Sequence, residues 1–418
     1  MVKPGYKQTE IGVIPEDWDV VSLNSLSIGG MQNGVFYEVD RKGSGVSFLN
    51  VGDLYGDTPI RSSTLQKFNA TLNEIERFRI NSGDLFFTRS SIVPSGIAYC
   101  NWYYGSDEEV TVFDSHIVRF KTNLNKVVPM YLYLQCISPS SRKYFIANSK
   151  TATMTTIDQT VLGDCQIAFP LMKEQEKIAQ TISDIDCLIA NLDKLLAKKK
   201  AIKQGAMQEL LTGKRRLPGF DGEWVELEIG ANGRLLRESI DPQTHPNVMF
   251  SEYSMPACDD GQMAVKKYGA DMHSNRTVIY GTVLLFNKLN VRQKRIWLVN
   301  AMENNAVCSS EFLPYCSETI DLRLLQQLLS TEKVTNDFIG MSTGTSNSQK
   351  RITPKNFLDY IVYVPNDINE QAAIADILVD MDSEIAQLQQ TLVKYQLVKQ
   401  GMMSELLTGR IRLIDKEG

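Results

Sequence analysis

Apolar residues recur at Ile178, Ile182, Ile185, Ile189, Leu192 and Leu196, in alternating steps of four and three. A stripe that narrow is a coiled-coil seam rather than the wider face of a globular helix. The spacing returns at Ile374, Leu378, Met381, Ile385, Leu388 and Leu392. Residues 173–217 and 369–413 align without a gap at an offset of 196, with about half of the positions identical. That is too many for chance over such a length. Each copy predicts one helix of roughly 35–40 residues, about 55 Å long. Glu174 and Glu370 stand in the first turns, where acid suits the helix dipole. Gly213 and Gly409 stand where a helix stop belongs.

Ahead of each of these helices the pattern shortens to β-like runs. Val46–Val51, Gly83–Thr88 and Ser115–Phe120 are β-rich in the first part, as are Thr277–Phe286, Arg295–Asn300 and Ser317–Leu322 in the second. Each part then carries a helical stretch, Pro129–Ile146 or Leu322–Phe338. A Ser/Thr-rich loop follows, 148–157 or 341–353, and then a strand ending in proline, 166–170 or 360–365. The order of elements agrees between the halves although the residues mostly differ. The expected fold is α+β: two mixed, mostly β segments separated by an antiparallel two-helix coiled coil, with pseudo-twofold symmetry. Its parts are a first globular segment at 1–170, a helix at 171–213, a second segment at 214–365, a helix at 366–409 and a tail at 410–418. Antiparallel pairing brings the C-terminal GRIRLIDKEG near the N-terminal GYKQTEIGVIPEDW, as LLTGKRR already runs into LPGFDGEW at the internal junction.

Net charge changes this picture little. It is −5, from 44 basic and 49 acidic residues, which on its face argues against nucleic acid. The distribution is uneven. Residues 173–217 hold ten basic and six acidic residues, and residues 369–413 hold four and six. The basic block includes Lys198, Lys199, Lys200 and Lys203, either a solvated helix face or a surface for phosphates. The seven cysteines form no C-x-x-C pair, so reduced thiols in a cytoplasmic protein are expected. No apolar run reaches the length of a membrane span.

Catalytic signatures are missing. There is no [N/D]-P-P-[Y/F/W] tetrapeptide, no phosphate-binding loop and no H-E-x-x-H, and His116, His245 and His273 are scattered. Two places suit base reading. Arg89, Ser90 and Ser91 follow one apolar strand, and Lys288, Asn290, Arg292 and Lys294 follow its counterpart. Arg and Lys match guanine acceptors, and Asn and Gln match adenine. In the Ser/Thr loops, Lys150, Thr151, Asn347, Gln349 and Lys350 suit phosphates or bases. Gln204–Gly205 and Gln400–Gly401 interrupt helical sequence, where glycine costs about 1 kcal/mol relative to alanine. With Met207, Met402 and Met403 they suggest the close approach of a partner, or else a simple bend.

EQ…IA at each helix start, KQG-x-M-x-ELLTG at each end, and the opening GYK-x-TEIG-x-IPEDW resemble the DNA specificity subunit of type I restriction-modification enzymes. The resemblance spans the whole chain. It implies two target recognition domains, each reading half of a split double-stranded site, and conserved helices that act as a spacer ruler. It implies no catalysis and no cofactor in this chain. The expected partners are two adenine methyltransferase subunits using S-adenosylmethionine, docked near Gln204, Gly205, Met207, Gln400, Gly401 and Met403, and a motor-nuclease subunit. The base-reading loops and Lys199 and Lys203 would meet DNA, and no membrane is involved. Two rivals remain: a coiled-coil scaffold with protein-binding heads, which the acidic total favours, and a solitary DNA-binding regulator, which low basic content disfavours.

Overall fold

The computed structural model describes residues 2–56, 58–106, 108–344 and 349–413. It divides into two compact units, one of residues 1–192 and 392–418, the other of residues 193–391. Each therefore contains one globular segment together with portions of both long helices. The helices span Met172–Leu210 and Ile368–Leu406, 39 residues each. Every seam position named above is buried or half-buried, with Ile182 and Leu378 fully so.

Antiparallel pairing holds inside each unit. In the first, Asp186 pairs with Lys399 at 2.6 Å and Glu174 with Arg412 at 2.6 Å, so one number rises as the other falls. In the second, Lys199 pairs with Glu384 at 2.6 Å and Lys203 with Asp382 at 2.5 Å. The helix stops fall where glycine predicted them. Gly213 and Gly409 take φ of +69° and +67°, and their N–H groups donate to Leu210 and Leu406 carbonyls. A Cβ on Gly409 would meet Pro15 at 2.5 Å, and one on Gly213 would meet the Trp224 ring at 3.2 Å.

The acidic first turns do more than satisfy a dipole. Glu174 and Glu370 are each 1 % exposed. Arg412 donates to both oxygens of Glu174 and both of Asp17, while the Trp18 indole N–H donates to Glu174 at 2.9 Å. Arg216 makes the matching two-pronged contact with Glu370 at 2.7 and 2.8 Å. The neighbouring glutamines are fully buried. Gln175 donates to the Pro170 carbonyl and accepts from Val128 N–H, and Gln371 donates to Pro365 and accepts from Asp321 N–H. The E–Q pair thus ties each helix start to the proline-ended strand behind it and to a helical region of its segment.

In the first unit the main sheet is antiparallel, ordered Ser27–Asn33, Ile117–Thr122, Leu85–Thr88, Cys100–Trp102, with Val118 opposite Phe87. Helices Pro129–Ile137 and Pro139–Ala147 cover it, broken by Pro139 after the capping Ser138. In the second unit a four-stranded sheet runs Arg234–Leu235, Phe312–Cys316, Gly281–Asn287, Ile296–Ala301, and a five-stranded sheet stands beside it. Helices Leu322–Leu329 and Glu332–Met341 are separated by the Thr331 cap. All seven cysteines are free.

Several strand expectations shift. Ser317–Leu322 is not a strand; the strand is Phe312–Cys316. Ser317 Oγ instead accepts the N–H groups of Thr319 and Ile320, and Asp321 caps the next helix, which bends the chain into a turn. Thr277–Phe286 is two strands, Arg276–Val278 and Gly281–Asn287, broken before Gly281, whose φ is +69°. Ser115 and His116 precede their strand because His116 N–H is drawn to the Asp114 carboxylate.

Removing the Arg412 side chain leaves the Glu174 carboxylate buried without its strongest partner. Arg412→Ala is expected to destabilise the first unit by on the order of 3 kcal/mol. Hydrogen exchange should show this unit opening more readily while residues 193–391 keep their protection. Equal loss in both units would refute the assignment.

Candidate functional site

In the first segment the buried strand Leu85–Thr88 delivers its chain to the surface at Arg89, which is exposed. Ser90–Ser91 then pair with Thr155–Thr156, which pair with Lys150–Thr151, making a small three-stranded antiparallel ribbon. The two stretches singled out in sequence, 89–91 and 150–151, are therefore neighbours. Arg89 and Lys150 line one cavity of about 480 Å³ with Asn33, Asn148, Thr156, Asp158 and Gln159. The Lys150 side chain is 83 % exposed, with its ammonium 3.9 Å from Asp158. Gln159 donates to Asn33 at 2.6 Å, and Asn33 donates to the Ser115 carbonyl.

The loop after Arg89 is braced. Thr88 Oγ1 donates to Gly96 O at 2.9 Å and accepts from Tyr99 N–H at 2.9 Å. Arg142 donates to Ala98 O at 2.6 Å and Ser95 O at 2.8 Å; burial pushes its guanidinium below its usual pKa. Beneath, Arg119 pairs with Asp84 at 2.6 Å across the sheet. Burial raises the Asp84 carboxyl despite the opposing pull of that arginine.

The second segment repeats the plan with different residues. Gly281–Asn287 runs into Lys288, Asn290 and Lys294 take left-handed φ of 51° and 49°, and Val291–Gln293 form a helical turn between them. Asn290 N–H donates to Lys350 O at 2.8 Å, and Ile352 N–H to Lys288 O at 3.0 Å. The loops at 288–294 and 349–350 thus lie side by side. Arg292, Lys294 and Gln349 are exposed, while Lys288, Asn290 and Lys350 are half-buried. Asn347 lies outside the described residues. Arg351 in the same strip pairs with Glu311 at 3.1 Å, which raises its pKa.

Sequence reasoning missed Asn33, Asn148 and Gln159. Asn33–Gly34 is a turn dipeptide, and Gly34 is required there because a Cβ would lie 1.9 Å from the Phe113 carbonyl oxygen. In the structure Asn33 ends the strand Ser27–Asn33 rather than a turn, while Asn148 caps the helix Pro139–Ala147 and Gln159 begins a short helix, Gln159–Gly163, so only folding unites the three.

Two helix lysines sit otherwise than expected. Lys199 and Lys203 are held in the ion pairs with Glu384 and Asp382, and Lys203 is 16 % exposed. Their charge is met by the acidic second repeat. Lys198 and Lys200 are exposed. Met207, Met402 and Met403 pack as half-buried residues against the cores of their own units. Around Gly205 and Gly401 an added Cβ would meet nothing within 4 Å, so no other part of the chain approaches them closely. Gln204 and Met207 edge a groove of about 610 Å³ that also holds Leu211, Lys294, Val334, Tyr360 and Tyr363. Ile361 and Tyr363 on its wall are about half exposed. Gln400 and Gly401 are exposed.

Among the described residues no cluster of three His, Cys, Asp or Glu side chains is placed to hold a metal, and no helix is long and apolar enough to cross a membrane.

Residues 15–203 match the family described as the type I restriction modification DNA specificity domain. The chain is 21 % identical to the MjaVIII specificity subunit of Methanocaldococcus jannaschii over 96 % of its own length and 94 % of that protein. It is 26 % identical to the putative MjaX specificity subunit of the same organism, over 54 % of this chain and about half of that protein, 55 %. Its fold is similar to that of a type I restriction-modification S subunit from M. genitalium, with a TM-score of 0.58 at 12 % identity, covering 93 % of this chain and 96 % of that one.

Helical glycine in open space carries a cost with no steric reason. Gly205→Ala and Gly401→Ala are each expected to stabilise the isolated chain by up to about 1 kcal/mol. Urea unfolding of the two variants would measure it, and a loss of stability would refute it.

Proposed function

From a chain that carries the type I restriction modification DNA specificity domain at residues 15–203 and is similar along its length to specificity subunits, we propose a DNA-reading adaptor with no catalysis of its own. The first segment reads one half of a bipartite, asymmetric site with the loop at Arg89–Ser91 and the ribbon at Lys150–Thr151. The second reads the other half with Lys288, Asn290 and Arg292, beside Gln349 and Lys350. The observation that carries this is the convergence, in each segment, of the strand-end loop and the Ser/Thr loop. Exposed Arg, Lys, Asn and Gln gathered at one edge suit base edges and phosphates. The unlike residues of the two edges support unlike half-sites. Lys199 and Lys203 are left out of the DNA surface because helix pairing occupies them.

Methylation would reside in two adenine methyltransferase subunits carrying S-adenosylmethionine, and cleavage in a motor-nuclease subunit, working on cytoplasmic DNA. One methyltransferase would dock on each unit, near Gln204, Gly205 and Met207 in one and Gln400, Gly401 and Met403 in the other. The half-exposed apolar groove beside Gln204 supports the first of these docks.

The reading is tested by methylome sequencing of cells with and without this gene, and with Arg89→Ala or Arg292→Ala. Each substitution should cost about 1–3 kcal/mol of binding and relax one half-site only. A scaffold without a DNA role predicts an unchanged methylome, and relaxation of both halves by Arg89→Ala would undo the assignment of segments to half-sites.

The helical pair would also set the gap between half-sites. Four residues added to both helices, between Leu192 and Gly205 and between Leu388 and Gly401, lengthen each by about 6 Å while nearly keeping helical phase. The unread gap should grow by one or two base pairs at about 3.4 Å each, with both half-site sequences kept. Methylation retained at the original spacing would rule out the ruler.

A further inference from the structure

The ribbon of the first segment ends in an apolar tip that the reading above leaves unused. Ile92 is 85 % exposed, Val93 54 % and Met154 43 %. Single exposed apolar side chains are ordinary. Three together on a fixed loop are not, because a flexible loop would be free to fold them inward. The register places Ser91 opposite Thr155 and Ser90 opposite Thr156, so Ile92 and Met154 each stand one residue beyond the last pair, at the same end of the ribbon. Ala152 N–H donates to Met154 O at 3.2 Å and closes the hairpin turn. Val93 N–H donates to Ser91 Oγ at 3.3 Å, and Arg142 clamps the returning loop through Ser95 and Ala98. The tip is thus held outward by hydrogen bonds on both sides.

Its surroundings identify what covers it. Arg89 stands three residues before Ile92, and Lys150 lies on the outer strand of the same ribbon. Three residues of extended chain span about 10 Å, within the roughly 12 Å width of a DNA major groove, which admits a β-ribbon. Cations beside an apolar tip suit a surface that is anionic at its rim and offers an apolar group within. In the major groove that group is the C5-methyl of thymine. We propose that Ile92, with Met154, packs on the C5-methyl group of a thymine in the half-site read by the first segment, about three base pairs from the base met by Arg89. This rests on the DNA-reading function proposed above. Among the described residues the second segment has no such tip after its corresponding strand, since Val291 is 8 % exposed there, so the effect is expected in one half-site only.

The test uses the full chain bound to its methyltransferase partner and a duplex carrying the site found in the methylome. The half-site of the first segment is the one that Arg89→Ala relaxes. Each thymine in it is replaced in turn by deoxyuridine, which removes only the methyl group. One replacement should weaken binding about fourfold, the value of burying a single methyl. With Ile92→Ala the same replacement should change binding by less than about twofold, while replacements in the other half-site change neither protein. Ile92 is exposed, so this variant folds; unchanged reading of the second half-site confirms it. Specific binding with no effect of any replacement overturns the proposal, as does a half-site without thymine. An Ile92→Ala complex as sensitive as the original also overturns it, as does loss of methyltransferase capture in place of the thymine effect. Absence of any site-specific binding would instead overturn the DNA-reading function itself.

Discussion

A carboxylate buried at the start of each long helix is the constraint on which the rest of the fold depends. Glu174 and Glu370 are out of water, and an unpaired charge there would cost several kcal/mol. Each is therefore met by a two-pronged guanidinium from far along the chain. Arg412 is 238 residues from Glu174, and Arg216 is 154 residues from Glu370. One arginine comes from the C-terminal end, and the other from the internal junction. The two ends of the chain meet at Tyr6, whose hydroxyl donates to the Gly409 carbonyl at 3.0 Å. The first unit is thus closed by its termini, as the second is closed by continuous chain. The correspondence is not complete: Trp18 donates to Glu174, whereas the Trp224 indole N–H is buried without a partner among the described residues.

Pairing also decides which charges are left for other work. The first repeat is basic and the second acidic, and two helix contacts use that difference, joining Lys199 to Glu384 and Lys203 to Asp382, while Lys399 to Asp186 runs the other way. Such ion pairs add modest stability but fix direction and register, because like charges would face each other in another alignment. Cationic groups at the segment edges are spent less completely. Arg89 and Arg292 are exposed at loop ends held by backbone hydrogen bonds. A rigid loop loses less entropy on meeting a ligand, so side chains positioned this way bind with more of their interaction energy intact.

The candidate site was half legible. Arg89 and Lys288 were visible as polar residues following apolar runs, because a strand must surface where its apolar alternation stops, and Lys150 and Lys350 as cations in the Ser/Thr-rich loops. Their adjacency was not visible. It follows from the ribbon joining 90–91, 155–156 and 150–151, and from the backbone bonds between 288–290 and 350–352. Short strands of two residues carry no periodicity for a sequence to display. Asn33, Asn148 and Gln159 escaped because each ends or begins a different element, a strand and two helices, and only folding brings those ends together.

The sequence by itself determined the two long helices, their seam, their ends at Gly213 and Gly409 and the α+β character of both segments. These are local properties, set by residues three or four apart and by glycine's access to positive φ. It did not determine the strand at Phe312–Cys316, where Ser317 and Asp321 turn the chain by side-chain hydrogen bonds that compete with β pairing. Nor did it reveal that Glu174 and Glu370 are buried. A first-turn acid suits a helix dipole in any fold, and only the arrival of Arg412 and Arg216 from distant chain made it favourable to take that charge out of water.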